Sequence, residues 1–354
     1  MKIAMMSRWN ATCGVSVHAE LIGREWVKKG HKLTVFAPRN YVKTTPVDVK
    51  DEDYVVRCYD DPERGPSRER KYSEVRHFDS ETLLETDYDF FVVQNLEILP
   101  MLDLLKVYSR IRGKAKTVLV IHEGYLPQDP NFYRFEWDAV TCFDERYQRI
   151  FSQKFPSENI HIIPYPCHPI RKGKREKARS ALNLPPEKKI AFSYGRQRQV
   201  EYLAYLFVLK KLSEVFPVQY TVVRSDGVLE LDKEHSFVEM RMERPSLDRL
   251  YDYLHAADVF LLPKFESPNI VVSSTVFLCM GAMTPFVVPE TSHVYMLNDE
   301  VIKYKDVSDL KDKITEIFNS GRIVQDTLKV AEKYVNLNSA EKVAEKYMEL
   351  FKLL

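Results

Sequence analysis

The chain has 354 residues, 45% of them hydrophobic and 29% charged, with a formal net charge of +1. That length suits about two ordinary domains, each with a sizeable core, and the charge balance implies no bulk attraction to nucleic acid. The five cysteines (13, 58, 142, 167 and 279) are odd in number, scattered and free of any CxxC pair, which fits a reduced, cytoplasmic protein without a zinc site. Only a few apolar residues separate Lys2 from Arg8, so no secretory signal is expected. The longest apolar candidate for a membrane span, 270–280, contains Ser273, Ser274 and Thr275.

In chain order, residues 2–6 (KIAMM) predict a strand, and a polar loop leads to Gly14. Val17, Leu21, Ile22, Trp26 and Val27 then recur at helical spacing up to Gly30, and 31–38 read as a second strand. This βαβ opening predicts a parallel sheet. Residues 48–71 are rich in charge, with Pro62, Gly65, Pro66 and the run RERK, and predict an irregular, exposed excursion with one strand at 54–58. Strands follow at 89–93 and 116–121, another lies within 135–142, and 160–164 close the first domain. Helices are expected at 96–111 and 144–155.

Prolines 164, 166, 169, 185 and 186 and the basic run 171–179 mark a boundary. The run reads as a solvated helix face; its alternative is a patch for acidic lipid head groups. The second domain alternates strand 190–193, helix 200–215, strand 219–223, helix 247–256 and strand 259–262. Beyond these come a helix over 270–280, strands at 285–288 and 301–303, a helix at 310–319, and terminal helices broken at 336–339. The fold class is α/β, with two doubly wound parallel-sheet domains at 1–165 and 166–335 and a last helical segment at 336–354.

The stretch 258–288, DVFLLPKFESPNIVVSSTVFLCMGAMTPFVV, carries the chemistry. A buried strand ends at Pro263, and Glu266 follows in a loop with Ser267, Pro268 and Asn269. Ligands of open α/β sheets bind at the carboxyl ends of strands, beside helix N-termini. A helix opening at Asn269 or Ile270 would be capped by Ser or Asn, and Glu266 is an acceptor suited to hydroxyls.

This stretch resembles the nucleotide-binding segment of retaining glycosyltransferases of the GT-B fold, family-four type. In that family a second Glu follows the first by eight positions; here the position holds Ser274, and the family's Gly-x-Pro is stretched over Gly281 to Pro285. The N-terminal loop is similar too, with Cys13-Gly14 for the family's Gly-Gly and with His18 and Gly30-His31 in place. Cys13 is expected to narrow that loop and restrict its φ.

The resemblance implies two Rossmann-like domains facing across a cleft, with the last helix crossing back onto the first. It implies transfer of a hexose from a nucleotide-diphosphate sugar of UDP, GDP or ADP type to a sugar or lipid-linked acceptor hydroxyl, with no metal or other cofactor. It further implies that Arg196, in strand-Gly-Arg context, clamps the diphosphate, and that Glu266 and His122 contact the sugar. Gly14, Asn269 and Ile270 would approach donor phosphates through their backbone, Ser274 would replace the ribose-binding acid, and His18 would face acceptor or phosphate. The family's Lys, five positions after Arg196, is Glu201, an acid expected to repel phosphate, with Arg198 as its substitute. A lipid-linked acceptor would bring the protein to the inner membrane surface. The alternative is a non-catalytic GT-B-like binding or assembly protein that has lost part of the donor site. Nucleic-acid binding lacks the basic aromatic motif it needs.

Overall fold

The computed structural model describes residues 1–41, 50–62, 74–231 and 235–354. The run RERK, with Gly65 and Pro66, lies outside the described residues. The chain divides into two compact units. Unit 1 comprises Met1–Pro166, Asn269–Ser274 and Ala340–Leu354; unit 2 comprises Cys167–Pro268 and Thr275–Ser339.

Unit 1 begins with β1 (Lys2–Met6), α1 (Gly14–Lys28), β2 (Lys32–Pro38) and β3 (Val55–Tyr59). It continues with α2 (Ser80–Glu85), β4 (Phe90–Gln94), α3 (Met101–Arg112), β5 (Lys116–Val120), β6 (Ala139–Cys142), α4 (Glu145–Phe151) and β7 (Ile160–Ile162). The single helix expected at 96–111 is broken: Leu96–Ile98 form a 3-10 turn, and α3 starts after Pro100. Proline suits a helix start because its missing N–H has no partner to lose there. The seven strands are parallel in the order β3-β2-β1-β4-β5-β6-β7. Both faces of such a sheet are covered, so strands such as FFVVQ are wholly buried.

Unit 2 carries α5 (Arg175–Ala181), β8 (Lys189–Tyr194), α6 (Gln199–Leu212), β9 (Val218–Arg224), β10 (Val238–Met242), α7 (Leu247–Ala256) and β11 (Val259–Leu261). The short α8 (Ser274–Cys279) precedes β12 (Phe286–Pro289), β13 (Ile302–Tyr304), α9 (Val307–Phe318) and α10 (Arg322–Leu337). The sheet order is β10-β9-β8-β11-β12-β13, again parallel. Tyr202, Tyr205 and Leu209 of α6 pack with Tyr220, Val259, Leu310 and Ile314 in its core. The last helix, α11 (Ala340–Leu353), belongs to unit 1, where the indole N–H of Trp26 donates to the Ala344 carbonyl and Phe351 stacks on Phe90 at 4.5 Å. Among the described residues no helix is long and apolar enough to cross a membrane.

The basic run 171–179 is not a uniformly solvated face. Arg171 pairs with Asp248, and Arg175 and Arg179 both pair with Asp258. Arg179 is buried and also donates to the carbonyls of Ala256 and Pro186, while Asp258 accepts from the Ile190 N–H at 2.7 Å. This network ties α5 to the starts of β8 and β11. Removing one member of a buried pair strands the other charge, which costs about 3–5 kcal/mol. Asp258→Ala is therefore expected to destabilise unit 2 by about that amount in urea denaturation.

Candidate functional site

In unit 2 three charged loops leave the carboxyl ends of the neighbouring strands β8, β11 and β12. The chain winds outward in opposite directions from β8 and β11, so the boundary between them is the switch point where such sheets bind ligands. Gly195 opens the β8 loop at φ +134°, and a Cβ there would lie 2.4 Å from Gln197 Nε2. Only glycine meets both demands. Gln197 is buried, its carboxamide oxygen accepting from the Tyr202 hydroxyl at 2.8 Å and its backbone carbonyl from Arg224. Its neighbours Arg196 and Arg198 are exposed.

Glu201 lies in the first turn of α6, where its carboxylate accepts from the Arg198 N–H at 2.7 Å and the Phe265 N–H at 2.9 Å. The Arg198 guanidinium is 3.8 Å from the same carboxylate, and its carbon stands 6.0 Å from the Phe265 ring centre. The acid expected to repel phosphate is thus a helix cap that also holds the β11 loop. Arg198, expected to replace the family's Lys, is drawn to that acid instead.

Glu266 follows β11. Its carboxylate accepts from the N–H of Ser267 at 2.8 Å, from the N–H of Ser292 at 3.0 Å, and from the Ser292 hydroxyl. Burial works against its charge, but the bonds from Ser292 and Ser267, with His293 nearby, outweigh it and hold its pKa below the ordinary value. Glu266 therefore does not cap a helix at Asn269 or Ile270: it fixes the turn after β12. His293 is hydrogen-bonded to the backbone of Phe265, and burial, then Lys264, lower its pKa. Between these two clasps stands Lys264, a residue the sequence reading passed over. It is half-buried; burial lowers its pKa, the charge of Glu201 opposes that shift, and Arg196 adds to it.

Unit 1 brings three other residues together at its own carboxyl edge. Gln94 ends β4, His122 follows β5, and His18 lies on α1. His18 Nδ1 is 3.0 Å and His122 Nε2 is 2.9 Å from Gln94 Oε1. A carboxamide oxygen only accepts, so with Gln94 oriented this way both rings donate to it, and the Gln94 amide nitrogen and His18 Nε2 are left buried without a partner. Burial pushes the His18 pKa down to about 3, and burial together with His18 pushes that of His122 well down. Both rings are neutral near pH 7, and His122 is left with a bare Nδ1. His18 has no exposed surface and sits among Phe143, Tyr165 and Tyr347. It is a packing residue behind His122, not a contact for acceptor or phosphate. Gln94 was missed; its signal was a polar residue closing an otherwise apolar strand.

The helix expected over 270–280 begins only at Ser274. Asn269–Ser274 cluster with unit 1. The Ile270 N–H donates to the Gly124 carbonyl at 3.1 Å, so neither it nor Asn269 stands at a helix N-terminus. A Cβ on Gly124 would fall 1.6 Å from the Ile270 oxygen, which makes glycine obligatory there. Ser274 Oγ lies 3.0 Å from where a Cβ on Gly14 would stand, and Ser274 is hydrogen-bonded to the Tyr165 side chain. Cys13 has φ −146°, extended backbone that any residue adopts, so it does not restrict the loop as expected. Among the described residues no group of three or more His, Cys, Asp or Glu is placed to hold a metal ion.

No family model matches the sequence. The structure is similar to a glycosyltransferase from Rickettsia africae, with 12% identity, 99% of this chain and 97% of that one covered, and a TM-score of 0.70. It is similar to HepE of Anabaena, solved with UDP and glucose, at 12% identity, full coverage of both chains and a TM-score of 0.68. Sucrose-phosphate synthase from Thermosynechococcus elongatus gives 14%, 100% and 98% coverage, and 0.65. The chain has the GT-B fold.

One further carboxyl stands in this GT-B protein beside His122. Glu123 is buried, accepts from the N–H groups of His122 and Glu97 at 3.0 and 3.1 Å, and has its pKa pushed up to about 7 by burial and then by the charge of Glu97. A carboxyl whose folded value exceeds its ordinary 4.5 contributes stability at low pH that is lost as pH rises through about 7. His18 and His122 act oppositely, losing stability as pH falls below 6.5. The difference between wild type and Glu123→Gln isolates the carboxyl. The variant is expected to gain on wild type by up to roughly 3 kcal/mol between pH 4.5 and 7.5, read by urea denaturation across that range.

Proposed function

We propose that this protein is a retaining, metal-independent glycosyltransferase that moves a hexose from a nucleotide-diphosphate sugar to an acceptor hydroxyl. The observation that carries the reading is the unit 2 switch point, where Arg196 is turned outward beside a loop holding the ionised Glu266. As the glycosidic bond breaks, the departing diphosphate gains negative charge, and a fixed cation lowers the barrier by meeting it there. A guanidinium binds two phosphate oxygens in one planar fork. A carboxylate has more acceptor sites than Ser267 and Ser292 fill, and the remainder suit sugar hydroxyls. His122, neutral with a bare Nδ1, suits a hydroxyl donor in the same way. Retention is assigned to front-face attack assisted by the leaving diphosphate, so Glu123 is given no nucleophilic role.

The nucleotides to try are UDP, GDP and ADP, with UDP first because the HepE complex contains it. The acceptor is a sugar or a lipid-linked hydroxyl; the second would bring the protein to a membrane surface. Gly14, Asn269, Ile270 and Ser274 complete the donor site in this reading, although Ser274 packs tightly on Gly14 and Ile270 on Gly124. That tight packing favours the second reading, a non-catalytic GT-B binding or assembly protein that has lost part of the donor site.

The two readings separate in a thermal-shift and calorimetric screen against UDP, GDP, ADP and their sugars without metal. Binding of one nucleotide by the folded protein raises its apparent stability by mass action; silence from all of them favours the non-catalytic reading. With a donor in hand, Arg196→Ala is expected to cut turnover by about a hundredfold or more. Undiminished turnover would remove Arg196 from the site.

A further inference from the structure

The family that the sequence resembles has a lysine at the position of Glu201, and unit 2 has instead placed a lysine on the adjacent loop. We infer that Lys264 supplies the second cation of the diphosphate clamp, with Glu201 converted from a ligand position into the clasp that holds Lys264 in place. The inference rests on the proposed transfer reaction and adds to it a residue that neither the motif comparison nor the fold assigns.

The geometry carries it. Glu201 accepts the N–H of Phe265, the residue after Lys264, at 2.9 Å. His293 bonds the backbone of the same Phe265 from the β12 side, and Glu266 is bonded to Ser292. The backbone around Lys264 is thus pinned from both neighbouring loops. Among the described residues no hydrogen bond or ion pair is made to the Lys264 ammonium, although the side chain is half-buried. A cation partly withdrawn from water and left without a hydrogen-bonded counter-ion is costly to keep. Such groups gather at functional sites, where a ligand completes them. Lys264 follows β11 and Arg196 follows β8, so the two cations flank the switch point within electrostatic reach of each other. Two like charges held together repel, and a diphosphate relieves both.

This arrangement reverses an expectation drawn from the family. Restoring its lysine by Glu201→Lys should not improve phosphate binding. It removes the cap of α6 and the bond to Phe265, and it adds a third cation beside Arg196 and Lys264.

The test is calorimetry on the full chain with inorganic pyrophosphate and with UDP, GDP and ADP, all without metal. Lys264→Met is expected to weaken every diphosphate that wild type binds by about tenfold or more, the worth of one charged hydrogen bond. Lys264→Arg should retain most of the affinity, and Glu201→Lys should lose affinity too. A second measurement needs no variant to fold: acetylation of Lys264 in wild type, followed by mass spectrometry, should slow at least several-fold when pyrophosphate is present. Unchanged affinity in Lys264→Met, or acetylation indifferent to pyrophosphate, overturns the assignment while leaving Arg196 and the proposed reaction standing. A wild type that binds no diphosphate at all overturns both.

Discussion

The carboxylate of Glu201 is the point on which the unit 2 site depends. It takes the N–H of Arg198 on its own helix and the N–H of Phe265 on the loop after the adjacent strand. Charge-assisted bonds of this kind are worth about 1.5–3 kcal/mol each. They join two loops that the sheet alone leaves separate, because parallel strands fix where loops begin and not where they go. Gln197 below and Ser292 opposite complete the frame, so Arg196, Lys264 and Glu266 project from backbone held on several sides.

Unit 1 follows a different logic. At its carboxyl edge the neutral rings of His18 and His122 share one carboxamide oxygen, and burial with the charge of Glu97 raises the pKa of the nearby Glu123 to about 7. The close packing of Ile270 on Gly124 shows how little room lies between residues 269–274 and the loop after β5.

Much of this was legible in the chain. Apolar runs bounded by turn residues marked most of the strands, because strands of a doubly covered parallel sheet are apolar on both faces. The exceptions are physical. The strand Val238–Met242 (VEMRM) alternates polar residues at a sheet edge and carries no such run. The segment 270–273 (IVVS) looked like helix by hydrophobicity, yet three β-branched residues in a row disfavour helix, and the helix begins only at Ser274. The loops that carry Arg196 and Glu266 were recognisable because strand-end context is local. Lys264, Gln94 and the true role of Glu201 were not, because each takes its meaning from a partner loop far away in sequence. An acid where a family keeps a lysine reads as loss until the N–H groups it binds are seen.

The most direct measurement is a crystal structure of the full chain with the nucleoside diphosphate that stabilises it most, grown without divalent metal. The account predicts a diphosphate within hydrogen-bond distance of the Arg196 guanidinium and the Lys264 ammonium, with Glu201 still bonded to Phe265. A diphosphate bound elsewhere, or at this loop with Arg196 and Lys264 turned away from it, would contradict the account.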